Sequence, residues 1–363
     1  MRRLRVDLGP RSYDVLIGAG VLLLAGADLQ SIGARGQVAI ITQRPLVARF
    51  GARLGAVLEG AGFAVRTFVV PTGERVKSLR QATNLVDALG TAGFARSDTI
   101  IALGGGVVGD LAGFVAGIYM RGVRLVQIPT TLLAQIDSAI GGKTAVNHSR
   151  AKNLVGVYHQ PALVIADVDT LASLPRDERR AGLAEAVKYG MVLDADLFDR
   201  LAQSEAAAAL SGTPSSLEEI VYRCAALKVR VVAADEREEG PREVLNYGHT
   251  VGHAVETACA GRFVHGEAIA VGMRVEAAIA VRLGVLDPGA AARQDALLRG
   301  LGLPTAVPSV PIAAIMDAMR LDKKRREGRI RCTLPEGIGR ARLGVEVPEA
   351  LVEEVVRACQ ESS

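Results

Sequence analysis

The amino-acid sequence predicts a two-part α/β protein. Its first half reads as a Rossmann-like α/β domain with a mainly parallel sheet, and its second half as mostly α-helical. Three observations carry this. Short Val- and Ile-rich runs alternate with longer amphipathic ones up to Leu174-Pro175, the pattern of strands and covering helices. Beyond Asp177 the strands give way to Ala-rich helical segments. Apolar residues make up 49% of the chain, yet aromatics only 4%, with no Trp, so the core is built from Ala, Val, Leu and Ile, as buried parallel strands and close-packed helices require.

Taken in order, residues 2–8 and 13–17 read as strands joined across Gly9-Pro10. Residues 37–42, 64–70, 99–103, 124–128 and 163–166 read as buried strands. Residues 45–60 and 77–90 have helical periodicity with glycine at their ends. The expected boundary falls near residue 175, dividing residues 1–175 from 176–363. Residues 204–216, with an Ala run followed by Gly212-Thr213-Pro214, read as the loosest connection.

Charge and cysteine usage exclude several function classes. The 43 basic and 39 acidic residues leave a formal charge of +4, and the basic residues are spread along the chain. Nucleic-acid binding calls for a concentrated basic stripe with stacking aromatics, and neither is present. A mild positive excess suits an anionic small molecule. Cys224, Cys259, Cys332 and Cys359 form no Cys-x-x-Cys and read as thiols of a reducing compartment. Asp7, Gly9 and Pro10 interrupt any signal-peptide core after Arg2 and Arg3. The longest apolar stretch, 268–286, carries Arg274, Glu276 and Arg282, too many charges for a bilayer span. A soluble cytoplasmic protein is expected.

Two segments of the first half suit anions. The strand at 99–103 runs into Gly104-Gly105-Gly106-Val107-Val108-Gly109-Asp110. A strand, a glycine turn and a helix start let backbone N–H groups face a pyrophosphate. The acidic residue usual about twenty positions on is missing, with Gln127 near that spot. The second segment, Pro129-Thr130-Thr131 through Asp137-Ser138 to Gly141-Gly142-Lys143-Thr144, ends like a P-loop but has Asp137 where its first glycine belongs. Lys143 and Lys152-Asn153 read instead as anion-binding side chains on a mobile loop.

The densest chemistry lies in the second half. Three of the five histidines fall in Asn246-Tyr247-Gly248-His249-Thr250-Val251-Gly252-His253 and His265-Gly266-Glu267. His249 and His253, four residues apart, share one face of a helix. Upstream, Glu185 and Lys188 lie in a small-residue helical segment. Imidazoles plus a carboxylate are ligands for a zinc-like ion, and three protein ligands with an open fourth position form a catalytic site. Thr250 stands where zinc peptidases carry Glu beside the first His, so peptidase chemistry is not expected. Spacing does not say which three of Glu185, His249, His253 and His265 bind the metal.

Taken together these residues resemble the 3-dehydroquinate synthases, a branch of the sugar-phosphate cyclases. The matches span the chain: Leu8-Gly9-x-Arg11-Ser12-Tyr13, Pro71-x-Gly73-Glu74-x-x-Lys77, the 104–113 segment and Asp137-Ser138-x-x-Gly141-Gly142-Lys143-Thr144. They continue in Ala151-Lys152-Asn153-Leu154-x-Gly156, Glu185-x-x-Lys188-Tyr189-Gly190, Arg242-x-x-Leu245-Asn246-x-Gly248-His249-Thr250-x-Gly252-His253-Ala254-x-Glu256 and His265-Gly266-Glu267.

The resemblance implies a dehydroquinate synthase-like fold, with NAD on the N-terminal domain, one Zn2+ or Co2+ per chain on the helical domain, and substrate in a cleft between them. It implies Glu185, His249 and His265 as metal ligands, with His253 facing the substrate phosphate. Glu74, Lys77, Gly104, Gly105, Gly106, Val107, Asp110, Thr130, Thr131, Asp137, Lys143 and Lys152 fall on the NAD side. Asp137, Lys152, Asn153, Lys188, Lys228, Arg242, Asn246 and His253 match substrate contacts, joined by one lysine of Lys323-Lys324, expected to be Lys324. Arg121 matches a residue that reaches the partner's site in a homodimer. The implied reaction turns 3-deoxy-D-arabino-heptulosonate 7-phosphate into 3-dehydroquinate plus phosphate, the second step of the shikimate pathway. It runs by transient NAD oxidation, phosphate elimination, re-reduction and ring closure. Gln43-Arg44 replaces the Asp often seen near the adenosine. The rivals are a polyol dehydrogenase of the glycerol dehydrogenase type, a cyclase of a carboxylate-free heptulose phosphate, and an inactive NAD-binding scaffold, which would have no need of so many buried charges.

Overall fold

The computed structural model describes residues 1–148, 151–259, 262–321, 325–326 and 329–361. The chain folds as two compact units, Met1–Leu174 with Leu217–Arg237, and Pro175–Ser216 with Glu238–Ser363. A single cut near residue 175 would leave Leu217–Arg237 in the second unit; most of the long Pro214–Ala234 helix instead packs with the first.

The first unit is built on strands β1 (Arg2–Val6), β2 (Tyr13–Gly18), β3 (Gln37–Gln43), β4 (Ala64–Val70), β5 (Thr99–Gly104), β6 (Arg124–Pro129), β7 (Lys143–His148), β8 (Ala151–Tyr158) and β9 (Leu163–Asp167). Seven form one sheet in the order β1-β2-β9-β6-β5-β3-β4. Only the β1–β2 pair is antiparallel. Alternate residues of a strand face opposite sides, so Val38 and Ile40 join one core with Ile101, Leu103 and Ile165. Ala39 and Ile41 join the other, with Ile100, Ala102 and Leu111. A sheet buried on both faces has continuous apolar strands, which is why these runs stood out in the sequence.

Strand β4 lies on one side of β3, whereas β5, β6 and β9 follow on the other. The winding therefore reverses between β3 and β5, and ligands of such sheets bind outside the carboxyl ends of the strands at that reversal. β5 delivers its glycine turn there.

Two hairpins depart from the sequence reading. The segment expected as a mobile loop around Lys143 and Lys152-Asn153 is the antiparallel pair β7–β8. Thr144 and Val146 are buried in it, while Lys143 is exposed; this inside–outside alternation was masked by the neighbouring glycines and polar residues. In the second unit, β10 (Arg325–Arg326), β11 (Arg329–Gly337) and β12 (Arg340–Pro348) form an antiparallel sheet. Residues 204–216 are also not loose: helical turns run over Leu201–Glu205 and Ala206–Ser211, and helix resumes at Pro214. The Ala run supplies helix propensity, and Gly212 breaks it in a left-handed conformation. The four cysteines are buried, and none is in a disulfide. Among the described residues no helix is long and apolar enough to cross a membrane.

Helices Arg176–Leu193, His249–Ala258 and His265–Arg282 pack together in the second unit. Every residue from Ala181 to Val192 is buried, Glu185 and Lys188 included. Glycines set the approach. A Cβ on Gly266 would lie 2.1 Å from the Ala181 carbonyl oxygen, and one on Gly272 only 1.9 Å from that of Gly248. Gly272→Ala should therefore push two helices apart and cost about 2–3 kcal/mol, lowering the melting temperature by roughly 4–10 °C. A thermal melt matching the parent chain would show that the contact is not required.

Candidate functional site

Three helices aim side chains at one point in the second unit. Glu185 comes from the middle of the Arg176–Leu193 helix, while His249 and His265 are the first residues of theirs. Glu185 Oε1 lies 3.4 Å from Nε2 of His249 and 3.4 Å from Nε2 of His265. This oxygen is buried and accepts no hydrogen bond. Zinc bonds of about 2.0–2.1 Å in a tetrahedron separate neighbouring ligand atoms by about 3.3–3.4 Å, so both edges fit a divalent ion. His253 sits nearby, its ring centre 5.1 Å from that of His249 and 5.8 Å from that of His265. The three imidazoles bring one nitrogen each within 4.8 Å of one another, a looser set than the pair of carboxylate–imidazole edges.

The surroundings tune each candidate ligand. Burial pushes the Glu185 carboxyl up, but the Lys188 ammonium 2.5 Å from Oε2 and the two imidazoles outweigh it and hold the carboxyl well below the usual range. Burial, reinforced by Lys188, holds His249 well below the usual imidazole value, so its ring is neutral at pH 7. Nδ1 of His249 lies 3.0 Å from the Tyr247 carbonyl. A carbonyl only accepts, so Nδ1 carries the hydrogen and Nε2 keeps its lone pair. Tyr247 is itself anchored, its hydroxyl donating to Gln294 Oε1 at 2.6 Å or to the Met273 carbonyl at 3.0 Å. Burial lowers His265, but Glu185 and Glu256 outweigh it and push it up to about 9. The metal-free ring thus holds a proton that a bound ion would displace. Glu256 Oε2 stands 3.6 Å from His265 Nδ1, the kind of carboxylate that orients a ligating imidazole.

The first unit assembles a separate polar group. Gly104 ends β5, Gly105 is extended, and the Gly106–Ile118 helix follows at once. The N–H groups of Gly106 and Val107 open that helix and have no intrahelical acceptor. Thr130 N donates to the Gly104 carbonyl at 3.0 Å, and Thr131 Oγ1 accepts from Ala134 N at 3.2 Å, which sets both threonines beside the glycine turn. Lys77 Nζ donates to Asp110 Oδ2 at 2.5 Å and also to Asn153 Oδ1. Burial raises the Asp110 carboxyl, and Lys77 lowers it only in part. Lys228 donates to Asp137.

Sequence reasoning missed several supports. Asn147 donates to Glu74 Oε1 at 2.7 Å, gives its backbone N–H to the Lys77 carbonyl and accepts from Asn153 N. It thereby ties the Lys77 loop to the hairpin, a role invisible while that segment read as a loop. Asn153 adopts a left-handed backbone (φ 54°), which Asn tolerates better than most residues. Glu238, also left-handed (φ 61°), accepts from Asn246 Nδ2 at 2.8 Å. Arg242 is buried in the 3-10 turn Pro241–Asn246, which Arg331 of β11 grips by two bonds to Glu243. Arg121 is exposed with φ 65°. Gln43 donates to the Pro71 carbonyl. Lys323 and Lys324 lie outside the described residues.

Comparison with known proteins identifies the family. A family model for the N-terminal part of 3-dehydroquinate synthase matches residues 67–181, and one for its C-terminal part matches residues 182–325. A 3-dehydroquinate synthase of Nostoc punctiforme is 43% identical over 357 residues, covering 98% of each chain. The chain belongs to the 3-dehydroquinate synthase family. Among solved structures, a 2-deoxy-scyllo-inosose synthase complexed with carbaglucose-6-phosphate, NAD+ and Co2+ superposes with a TM-score of 0.90 at 30% identity, covering 98% of this chain and 100% of that one. A 2-epi-5-epi-valiolone synthase from Streptomyces hygroscopicus with NAD+ and Zn2+ bound gives 0.88 at 29% identity, covering 97% of each chain.

Membership of the 3-dehydroquinate synthase family makes this chain an enzyme, and its buried ion pairs are open to test. Removing one partner of a buried pair costs about 3–5 kcal/mol; the partial exposure of Asp110 brings the expectation for Lys77→Met down to about 2 kcal/mol. Urea unfolding should show that loss, and adding Asp110→Asn should recover most of it. A Lys77→Met chain as stable as the parent would show that the pair contributes nothing.

Proposed function

We propose that the chain catalyses the reaction of its family, converting 3-deoxy-D-arabino-heptulosonate 7-phosphate to 3-dehydroquinate and phosphate in the cytoplasm. The observation that carries the proposal is Glu185 Oε1 at 3.4 Å from both the His249 and His265 Nε2 atoms. On this reading Glu185, His249 and His265 hold one Zn2+ or Co2+. Gly104, Gly105, Gly106 and Val107 meet the pyrophosphate of NAD, with Glu74, Lys77, Asp110, Thr130, Thr131, Asp137, Lys143 and Lys152 completing that side. When bound, NAD supplies a reversible hydride acceptor and the divalent ion a Lewis acid.

The chain's own residues supply position and charge. Lys188 keeps Glu185 ionised, and the Tyr247 carbonyl holds His249 in the tautomer with a free Nε2. Lys152, Lys188, Lys228 and Arg242 supply the cations that a substrate bearing both a phosphate and a carboxylate requires. His253, exposed one helical turn from His249, is assigned to the phosphate. Asp137, Asn153 and Asn246 are assigned to the substrate, with Lys324 a further cation. Asn153 and Asn246 are already fixed by Lys77 and Glu238, and such prior fixing lowers the ordering cost in the transition state.

A homodimer is part of the proposal. Ile118, Met120, Leu154 and Tyr158 are exposed apolar side chains of the first unit. Arg121 follows Met120 on a left-handed backbone and has no ion-pair partner among the described residues. A second copy would cover the apolar residues and give Arg121 an anionic partner.

The deciding experiment follows phosphate release from 3-deoxy-D-arabino-heptulosonate 7-phosphate while NADH absorbance is read in the same cuvette. Phosphate should exceed NAD many-fold, with no lasting NADH signal. NADH accumulating one-for-one with product would make the chain a net dehydrogenase. Equal turnover of a carboxylate-free sugar phosphate would remove the role given to the cations.

A further inference from the structure

The helix His249–Ala258 begins without a capping side chain of its own. Its N-cap is Gly248, in a left-handed conformation (φ 77°), and glycine has nothing to offer the exposed N–H groups of the first turn. The acceptor comes from another helix. Glu276, wholly buried in the interior of His265–Arg282, accepts Gly248 N on Oε2 at 2.6 Å and Val251 N on Oε1 at 3.1 Å. A carboxylate is a costly group to bury. A Ser or Asp at position 248 would cap the helix more cheaply, but a Cβ on Gly248 would lie 2.6 Å from Met273 Cγ and 3.1 Å from the Ile269 carbonyl oxygen, on a left-handed backbone that disfavours any side chain.

The placement has a consequence for the metal ligands. His265 is the first residue of the helix that carries Glu276, and His249 is the first residue of the helix that Glu276 caps. One side chain therefore clamps the backbone on both sides of His249 to the helix that presents His265. Two charge-assisted bonds into the positive end of a helix are short and directional. They fix His249 in position and direction, while the Tyr247 carbonyl fixes its tautomer.

We propose that Glu276 is a positioning residue of the metal site, holding His249 at ligating distance from Glu185 and His265 without touching the ion. The proposal rests on the metal-site reading above and goes beyond it by assigning a role to a residue outside the ligand set. Outer-sphere partners of this kind typically alter metal affinity by about 10–100-fold when replaced.

The test titrates Co2+ alone into the metal-depleted full-length chain and follows the visible absorption of the bound ion, with circular dichroism and a thermal melt on each variant. The parent chain should bind one equivalent. Glu276→Gln keeps the volume, presents an N–H2 to one of the two backbone donors, and should weaken Co2+ binding at least 10-fold with an altered visible spectrum. Glu276→Asp keeps the charge but withdraws it by one methylene. It should fold, bind Co2+ with intermediate affinity, and serve the comparison if the Gln variant does not fold. In a His249→Ala background Glu276→Gln should change the residual Co2+ affinity by less than twofold, because the residue acts through His249. Parent-like affinity and spectrum in a folded Gln or Asp variant would overturn the proposal, as would an equal loss with and without His249. A parent chain that binds no Co2+ would overturn the metal reading itself, and this inference with it.

Discussion

The proposed metal site depends on how closely three helices approach one another. A carboxylate and two imidazoles meet with 3.4 Å edges only because the backbones behind them nearly touch. Gly266 abuts the Ala181 carbonyl, four residues before Glu185, and Gly272 abuts the Gly248 carbonyl, one residue before His249. A methyl group at either place would meet backbone at 1.9–2.1 Å and force the helices that carry Glu185, His249 and His265 apart. The Ala-rich, aromatic-poor composition follows from the same constraint, since small side chains let helices pack this tightly.

Close packing brings an electrostatic problem with it. Glu185 and Lys188 lie in an otherwise apolar, fully buried stretch of helix. An isolated charge there would be neutralised by a proton shift. Each stabilises the other at 2.5 Å; burial and Lys188 hold His249 neutral, while Glu185 and Glu256 keep a proton on His265. On the proposed reading these residues would suit a divalent cation: the His249 imidazole already presents a lone pair, and His265 would give up its proton to bind. The first unit shows the milder form of the same device in Lys77, Asp110 and Asn153.

Much of this was legible in the sequence because the signals are local. The buried strands β3, β5, β6 and β9 are short apolar runs, and the glycine turn after β5 follows its strand directly. His249, His253 and His265 declared themselves by clustering. The β7–β8 and β11–β12 hairpins were harder to see. In β8 the side chains are largely exposed, so no apolar stripe marks the strand, and β11 breaks its alternation at register shifts. The partition of Leu217–Arg237 was also hidden, because an amphipathic helix does not reveal which core receives it. Glu256 and Glu276 stand on helices whose other residues look like ordinary packing. Only the fold puts Glu256 behind His265 and Glu276 against the helix that starts at His249. Which three of four candidate ligands bind was open from spacing alone, and the two matched edges at Glu185 Oε1 are what favour the carboxylate.

The central claim is that these helices build a site of one carboxylate oxygen and two imidazoles. X-ray absorption at the cobalt edge of the Co2+-loaded protein tests it most directly, because multiple scattering from imidazole rings counts the histidine ligands. The account predicts two imidazoles with the remaining donors oxygen, and loss of an oxygen scatterer in Glu185→Ala. Three imidazoles, with the spectrum unchanged by Glu185→Ala, would contradict it and make His253 a ligand.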